Sequence, residues 1–358
     1  MRFAIFSFAL VAVCLRFVGP QSAVWAADTL PANRNAIAKV FYATCRKWDG
    51  KDFSDERGSS TSHTLGSVML EIPNGAMRWD IRNFFSELKE QGWGDAPSVT
   101  KWERKALFRD SSIDNFIVKL KESVDKTQSN EFVIYVHGYD NSFSDGAQDS
   151  ALLSSYLKVP VVEYDWPTPK TFLPTPYQYN KAQNEVMWAQ SPFTHFLQAM
   201  VSAFPAKTIT IVCHSMGSRL VVPALHELYP NGNVDGKVTF RELVFCSADY
   251  DSDTFVDQVG KSLSAADITR IYVSPKDKAI GFSAFLVGGK PRMGWPGDTI
   301  GEITKLPQTQ VVDFTSFGGG ITGHSVAQWL VSNMHKYGRP GGGWTIDQPA
   351  LLLRKTKK

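Results

Sequence analysis

Short runs of β-branched and aromatic residues alternate with stretches of helical periodicity along most of this 358-residue chain. Eight of the runs have the length and composition of β-strands. They cover residues 38–44, 66–72, 131–136, 159–165, 208–213, 242–246, 268–273 and 310–314. Because strands that alternate with helices form parallel sheets covered on both faces, this order predicts an α/β fold with an eight-stranded, mostly parallel sheet.

Four segments are predicted helices, and the first two carry the apolar spacing of amphipathic helices. They are residues 112–124, residues 193–204, a stretch directly after Ser215, and residues 325–334. Ser191 and Pro192 form a cap residue and a first-turn proline, so they predict the start of the second helix. Pro223 is expected to kink or interrupt the third, because proline cannot donate a backbone hydrogen bond inside a helix.

Polar, glycine-rich and proline-rich segments separate these elements. Residues 46–65 and 339–343 are predicted loops on this basis. Residues 165–179 contain four prolines and several aromatic side chains. They are expected to form either an ordered loop over a pocket, which could act as a lid, or a stiff surface connection.

The first residues of the chain have the layout of a secretory signal peptide. Arg2 precedes an apolar run at 3–15, and small residues at 23–27 offer a cleavage site after Ala26. An uncleaved membrane anchor is the alternative, although the run is shorter than a bilayer-spanning helix needs. The mature protein is therefore predicted to be exported, either periplasmic or secreted. The expected organisation is a signal peptide at 1–26, one domain at 27–337 with N-terminal strands and a helix in 27–125 and the catalytic core in 126–337, and a flexible tail at 338–358.

Composition narrows the classes of partner. Hydrophobic residues make up 43% of the chain, enough for a large core. The net charge of +3 comes from 38 basic and 35 acidic residues spread along the length, and it does not point to nucleic acid. Three cysteines remain after signal cleavage, Cys45, Cys213 and Cys246, and this odd number argues for free thiols rather than a disulfide framework.

The segment ITIVCHSMGS at 209–218 predicts a catalytic serine. In a nucleophile elbow, the serine lies at a sharp turn from strand to helix, where the residues two before and two after it must be small. Gly217 meets this requirement, and Cys213 is small although the usual residue there is glycine. A strand before Ser215 and a helix-compatible stretch after it supply the expected context, so Ser215 is the predicted nucleophile.

Such a serine also needs hydrogen-bond donors for the oxyanion of its tetrahedral intermediate. One donor belongs to the residue after the nucleophile, here the Met216 N–H, and another comes from an earlier loop. The third predicted strand runs into His137, Gly138 and Tyr139. The Tyr139 N–H is therefore the second predicted donor, the Asp140 N–H is its alternative, and His137 is expected to support the loop together with Gly138.

The general base is expected late in the chain, because this architecture orders the catalytic residues as serine, acid and histidine. His335 falls on the last predicted helix, whereas His324 lies in a glycine-rich loop that could reach the sheet edge, so His324 is preferred. Two carboxylates follow neighbouring predicted strands, Asp277 after the seventh and Asp249 after the sixth. Asp277 is preferred as the acid that orients His324, and Asp249 remains the alternative.

Several motifs occur together in one known superfamily. They are VFYATCRKWDG (40–50), DERG (55–58), LGSVMLEIP (65–73), HGYDNSF (137–143), CHSMGSRL (213–220), SADYDSDTF (247–255), VSPKDKA (273–279) and GHS (323–325). This set resembles the α/β-hydrolase superfamily, and within it a bacterial group described only as alpha/beta hydrolases of unknown function, over residues 38–337. The resemblance implies Ser215 as nucleophile, His324 as general base and Asp277 as acid. It also implies that a small residue other than glycine is common at Cys213, whereas Cys45 stands where Asp or Asn is expected.

The sequence thus predicts an exported serine hydrolase with an α/β-hydrolase fold, acting through an acyl-enzyme on a small-molecule or lipid ester. A serine peptidase or amidase with the same triad is one alternative, and a non-catalytic binding protein on this scaffold is another. No cofactor is expected. The spacing of Asp249, Asp251 and Asp253 imitates the start of a calcium loop, but the required later glycine and glutamate are missing, so no metal is expected. The sequence indicates no nucleic acid partner and leaves the oligomeric state open.

Overall fold

A computed structural model describes residues 36–73, 102–170, 175–232, 238–295 and 297–313, and residue 324. These residues form a nine-stranded sheet and a separate two-stranded hairpin. The strands are β1 (Ala36–Thr44), β2 (Arg46–Trp48), β3 (Phe53–Arg57), β4 (Thr64–Ile72), β5 (Glu103–Arg109), β6 (Phe132–Val136), β7 (Val161–Asp165), β8 (Ile209–His214), β9 (Phe240–Cys246), β10 (Ala266–Val273) and β11 (Thr309–Asp313). The helices are α1 (Ile113–Asp125), α2 (Phe143–Leu157), α3 (Pro176–Ala203), α4 (Ser218–Leu228), α5 (Ser252–Val259), α6 (Lys278–Leu286) and α7 (Ile300–Ile303).

The strands of the large sheet follow the order β11-β10-β9-β8-β6-β7-β1-β4-β5. Strand β4 pairs antiparallel with both of its neighbours, β1 and β5. The other neighbouring pairs are parallel. Among the described strands of the large sheet, β4 alone therefore runs against the rest. The carboxyl ends of the parallel strands meet at one edge, where open α/β sheets bind their ligands.

Side chains alternate between two apolar faces of the sheet. On β6, Phe132, Ile134 and Val136 join the core on the face that carries α1, α3, α4 and α5. Val133 and Tyr135 join the core on the opposite face, which packs against α2. Strands β6 and β7 are buried along their whole length, as the continuous apolar sequence of β6 predicts. Strand β7 also buries Glu163 and Asp165. The predicted α/β-hydrolase fold, with a mostly parallel sheet and helices on both faces, is confirmed.

The sheet has nine strands rather than the eight predicted. The additional strand is β5, an edge strand whose residues are exposed or half-buried, so it lacks an apolar pattern. Residues 46–65 were also expected to be a loop, yet β2 and β3 form a hairpin within them. Of the hairpin residues, Arg46 and Phe53 are buried, and two such positions are too few to produce a strand signature.

The helix predicted to begin at residue 193 is the second part of the 28-residue helix α3. Its N-cap is Thr175, which exchanges hydrogen bonds with Gln178 in a capping box, and Pro176 occupies the first turn. These residues start the helix earlier than the predicted Ser191 and Pro192. Pro192 is instead a buried residue inside α3.

The other described helices agree in part with the pattern. Helices α1 and α4 correspond to the predicted segments at 112–124 and after Ser215, and Pro223 lies inside α4 without ending it. Helices α2, α5, α6 and α7 are additional to the predicted ones. The buried positions of α2 include Asp149 and Ser150, so its buried face is not a continuous apolar stripe. Helices α5, α6 and α7 have only eight, nine and four residues, too few for a clear periodic pattern.

The predicted signal peptide (1–26), last helix (325–334) and C-terminal tail (338–358) lie outside the described residues, and the division of the domain near residue 125 stays a prediction. Among the described helices, none is both long enough and apolar enough to cross a bilayer. Cys45, Cys213 and Cys246 are buried free thiols.

Candidate active site

Ser215 lies directly after β8, at the carboxyl edge of the sheet. Its backbone has φ 50°, a left-handed conformation that costs a non-glycine residue about 1–3 kcal/mol. A 3-10 turn at Ser215–Gly217 continues into α4, so the chain changes sharply from strand to helix at this serine. The residue is 7% exposed. Its position and strained backbone have the geometry of a nucleophile elbow.

Close packing explains the small residues near Ser215. A Cβ on Gly217 would lie 2.6 Å from the carbonyl oxygen of His137, and a Cβ on Gly138 would lie 2.9 Å from the Ser215 Cβ. Both positions therefore require glycine. Cys213 is different, because it is fully buried in the apolar core. The tight contact joins the elbow to the loop after β6, and the Cys213 position accepts an apolar side chain.

His324 and Asp277, the predicted base and acid, are hydrogen-bonded to each other. The Nδ1 of His324 lies 2.8 Å from Oδ2 and 3.1 Å from Oδ1 of Asp277. Asp277 follows β10 and is the N-cap of α6, where it accepts a hydrogen bond from the Ile280 N–H at 3.0 Å. The helix start thus fixes the carboxylate. With Nδ1 bound to Asp277, the Nε2 of His324 is left for proton transfer.

The two groups shift each other's ionisation in the direction that favours the charged pair. Burial alone would lower the pKa of His324, but the Asp277 carboxylate opposes this and raises the pKa above its ordinary value. Burial would likewise raise the pKa of Asp277, but His324 and the hydrogen bond from Ile280 lower it. Asp277 is therefore ionised at neutral pH, and its charge would stabilise an imidazolium at His324.

His324 is held near Ser215 by its contact with His214, the residue that precedes Ser215. The Nε2 of His214 donates to the carbonyl oxygen of His324 at 3.1 Å, and the two rings lie 4.7 Å apart. In the described part of the chain, the Ser215 hydroxyl makes no hydrogen bond. Catalytic hydrogen bonds are often long before substrate binds, so this absence does not argue against a Ser215–His324 pair.

The predicted oxyanion donors lie on the elbow and on the loop beside it. Met216 is in the first turn after β8, where N–H groups lack intrahelical partners. For the Tyr139 N–H, no acceptor is found among the residues that the structure describes. The alternative donor, the Asp140 N–H, already donates to Thr168 Oγ1 at 3.2 Å. The geometry therefore favours Tyr139 over Asp140.

His137 makes the contacts that a support for this loop would make. Its Nδ1 lies 2.9 Å from the carbonyl oxygen of Gly138, and its ring stacks on Trp166 with centroids 5.4 Å apart. Its Nε2 lies 3.1 Å from Asp165 Oδ1, and Asp165 in turn binds Arg46. Asp165 and Arg46 were not among the site residues predicted from the sequence. In the sequence, each of the two is a charged residue at or just after the end of a predicted strand, and this was the one local sign of a role at the sheet edge.

Asp249, the alternative acid, is occupied by other groups. Its carboxylate accepts hydrogen bonds from three side chains and faces a second arginine. These partners are the Tyr179 hydroxyl at 2.6 Å, Ser283 Oγ at 2.5 Å, Arg219 Nη2 at 3.0 Å and Arg292 Nε at 3.4 Å. The backbone N–H of Asp249 donates to the carbonyl oxygen of Ser215 at 3.0 Å. Asp249 therefore supports the elbow, and Asp277 is the carboxylate bound to His324.

One cluster beside the site has the residue types of a metal centre. In the described part of the chain, ligand atoms of His137, Glu163 and Asp165 lie within 4.8 Å of one another. Both carboxylate oxygens of Asp165 accept from Arg46 Nε, at 2.8 and 2.9 Å. A guanidinium so close to the ligand atoms disfavours a bound cation. This group does not fit a metal centre.

The sequence match agrees with the fold. The family described as alpha/beta hydrolase of unknown function (DUF900) matches residues 113–333. The chain belongs to this family. The matched part of this α/β hydrolase begins at α1 and includes Ser215, Asp277 and His324. Membership in this family supports a hydrolase activity.

Similarity to solved structures is low. A CIB-like hydrolase from Thermoplasma acidophilum is 12% identical, with 85% of this chain and 98% of its own covered and a TM-score of 0.34. A SOBER1 variant from Arabidopsis thaliana is 13% identical, with 58% of this chain and 96% of its own covered and a TM-score of 0.33. No curated protein matches the chain. The chain is therefore placed among the α/β hydrolases by the family match.

Proposed function

We propose that this α/β hydrolase is a serine hydrolase that cleaves carboxylic esters. Ser215 is the nucleophile, His324 the general base and Asp277 the acid. The observation that carries the proposal is the strained backbone of Ser215 at a strand-to-helix turn, beside a hydrogen-bonded histidine and aspartate. Such strain persists where the surrounding structure maintains it, and it is concentrated at functional sites.

The reaction follows from these groups. The Nε2 of His324 takes the proton of the Ser215 hydroxyl while Oγ attacks the ester carbonyl carbon, and Asp277 stabilises the resulting imidazolium. The carbonyl oxygen becomes an oxyanion that accepts hydrogen bonds from the Tyr139 and Met216 N–H groups. When the tetrahedral intermediate collapses, His324 gives its proton to the leaving alcohol. Water then attacks the acyl-enzyme in the same way and releases the acid.

A substrate panel tests the reaction type. Aryl esters of increasing acyl length are compared with the matching anilides, using the mature protein and its Ser215→Ala variant. We expect ester hydrolysis by the wild type and its loss in the variant. Faster cleavage of the anilides would assign the protein to the peptidases or amidases instead. Absence of turnover with every substrate would favour a non-catalytic binding protein on the same scaffold.

Export is part of the proposal and is supported by the signal-like layout of residues 1–26. Cleavage after Ala26 would release a mature protein that begins at Ala27. We expect intact mass spectrometry of the protein from the periplasm or medium of an expressing bacterium to find this N-terminus. Retention of the full N-terminal segment in the membrane fraction would show an uncleaved anchor.

A further inference from the structure

The peptide between Gly138 and Tyr139 carries one of the two proposed oxyanion donors. Glycine is required at position 138, because a Cβ there would contact Ser215. Glycine also rotates more freely than other residues. If this peptide flipped, the Gly138 carbonyl would replace the Tyr139 N–H and would repel an oxyanion. The orientation of this one peptide therefore has to be fixed by its neighbours.

Two side chains hold the carbonyl oxygen of Gly138. His137 Nδ1 lies 2.9 Å from it, and Asn141 Nδ2 donates to it at 3.3 Å. Because a carbonyl oxygen and an ionised carboxylate can only accept, His137 binds Gly138 through Nδ1–H and Asp165 through Nε2–H. The peptide is trans, so its N–H points away from its C=O. The Tyr139 N–H is thus directed away from His137 and Asn141.

Arg46 contacts Asn141 directly and reaches His137 through Asp165. Its Nε donates to the two carboxylate oxygens of Asp165, at 2.8 and 2.9 Å, and Asp165 lies 3.1 Å from His137 Nε2. Its Nη2 donates to the carbonyl oxygen of Asn141 at 2.7 Å. A planar guanidinium can make these contacts in two directions at once, which an ammonium group cannot. One side chain of β2 therefore reaches the oxyanion loop by two routes.

The burial of this network argues for a role beyond stability. Arg46 is 2% exposed, and Asp165 and His137 are fully buried. Burial alone would raise the pKa of Asp165, but Arg46 lowers it, so the carboxylate is ionised. A buried ion pair generally adds little to stability compared with apolar residues of the same size, because both charges lose their hydration. The lost hydration of Arg46 and Asp165 is explained if this ion pair positions a functional group.

We propose that Arg46 is a positioning residue for the oxyanion loop: through Asp165, His137 and Asn141 it keeps the Tyr139 N–H turned toward the substrate oxygen. This inference rests on the serine hydrolase function proposed above. It also gives the N-terminal strands a role in the site, since Arg46 precedes the segment that matches the family.

The test compares Arg46→Lys with Arg270→Lys. Arg270 is equally buried and forms an ion pair with Glu242 within the sheet, away from the carboxyl edge, so it controls for the loss of a buried guanidinium. Both variants are assayed with an aryl ester and with its thionoester, in which sulfur replaces the carbonyl oxygen. Because sulfur is a weak hydrogen-bond acceptor, thionoester hydrolysis depends less on the oxyanion donors.

For Arg46→Lys we expect kcat on the oxygen ester to fall by about 10²–10³, as for the loss of one oxyanion donor, with KM nearly unchanged. The ratio of kcat/KM between oxygen ester and thionoester should fall by about tenfold or more. Arg270→Lys should keep the wild-type ratio. A purely structural role for Arg46 would reduce thermal stability in both variants without changing this ratio, and that result would overturn the inference.

Asn141→Ala provides a second test that does not disturb a buried charge. It removes one of the two donors to the Gly138 carbonyl, so kcat and the ester ratio should fall in the same direction by a smaller factor. An unchanged ratio in a folded Asn141→Ala protein contradicts the inference even if Arg46→Lys fails to fold. If the wild type hydrolyses esters and both variants keep its ratio, this inference alone fails. If the wild type hydrolyses no ester, the proposed function fails and the inference falls with it.

Discussion

The ends of β8 and β9 carry two serines in corresponding positions. His214 of β8 pairs with Cys246 of β9, so Ser215 and Ser247 are the next residues on neighbouring parallel strands. Both have a left-handed backbone, with φ 50° at Ser215 and 45° at Ser247. Residue type, strand position and backbone strain are therefore shared. The two serines differ in the segment that each one leads into and in the chain that covers it.

Ser215 leads into a helix, whereas Ser247 leads into an irregular segment that another part of the chain covers. The Gly294 N–H donates to the Ala248 carbonyl oxygen at 2.9 Å, and a Cβ on Gly294 would lie 2.6 Å from the Ser247 carbonyl carbon. Ser247 is fully buried as a result, and Ser215 is partly accessible. Because both serines share this strain, strain alone does not single out Ser215. The proposal that Ser215 is the nucleophile rests on its helix start, its greater exposure and the contact of His324 with the preceding His214.

Replacing the carboxylate of Asp277 is expected to have the largest effect on activity. Asp277→Asn should lower kcat/KM by about 10³–10⁴, because His324 loses the charge that stabilises its imidazolium and holds its tautomer. Asparagine is as good an N-cap as aspartate, so α6 and the fold should be retained. Steady-state kinetics on protein with a native circular dichroism spectrum measures this. A loss of less than about tenfold would remove Asp277 from the catalytic role.

Asp249→Asn should lower stability more than activity, the reverse of Asp277→Asn. Arg219 and Arg292 would lose their shared buried counter-charge, so the free energy of unfolding should fall by about 3–5 kcal/mol. Turnover per folded molecule should fall by less than about tenfold, since Asp249 contacts the elbow rather than His324. Urea unfolding and kinetics at low temperature separate the two quantities. If turnover is abolished while stability is unchanged, Asp249 is the acid and our assignment is wrong.

The pH dependence of kcat/KM should distinguish the same two carboxylates by a smaller effect. Activity should rise with pH as His324 becomes neutral, with a midpoint above the ordinary histidine value near 6.5, because Asp277 raises this pKa against the effect of burial. Replacing Asp277 by Asn should move the midpoint down. Replacing Asp249 should move it down less, because its charge is the smaller contribution. Equal shifts in the two variants would contradict this order.

The smallest effects are expected at the cysteines before the two serines. Cys213→Ala or Cys213→Gly should preserve activity within a few-fold, because this position needs a small apolar residue rather than a particular one. Cys213→Leu should cost about 1–3 kcal/mol of stability and also lower kcat, since overpacking displaces Ser215. Cys246→Leu is the matched control and should lose stability with kcat nearly unchanged. A drop in kcat common to both leucine variants would indicate a general distortion of the sheet.

The central strands and the three proposed catalytic residues were predictable because their signals are local. The buried parallel strands are rich in β-branched and aromatic residues. Ser215 follows β8, Asp277 follows β10 and His324 follows β11, in the expected order of serine, acid and histidine. The edge strand β5 lacked that signal because its side chains face solvent.

The supporting residues were beyond sequence reasoning because their contacts are distant along the chain. Arg46 lies 119 residues from Asp165 and 95 from Asn141, and nothing in its local sequence indicates either partner. The start of α3 is a different case. Its capping residues were present in the sequence at Thr175, Pro176 and Gln178, but the Ser191-Pro192 pair gave a competing start signal.

Fluorophosphonate labelling of the two serines tests the central claim most directly. Wild-type protein, Ser215→Ala and Ser247→Ala are treated with the probe, and the modified residue is located by peptide mass spectrometry. We predict labelling of wild type and of Ser247→Ala at Ser215, and no labelling of Ser215→Ala. Persistent labelling of Ser215→Ala, or no labelling of folded wild type, would contradict the assignment of Ser215 as the nucleophile.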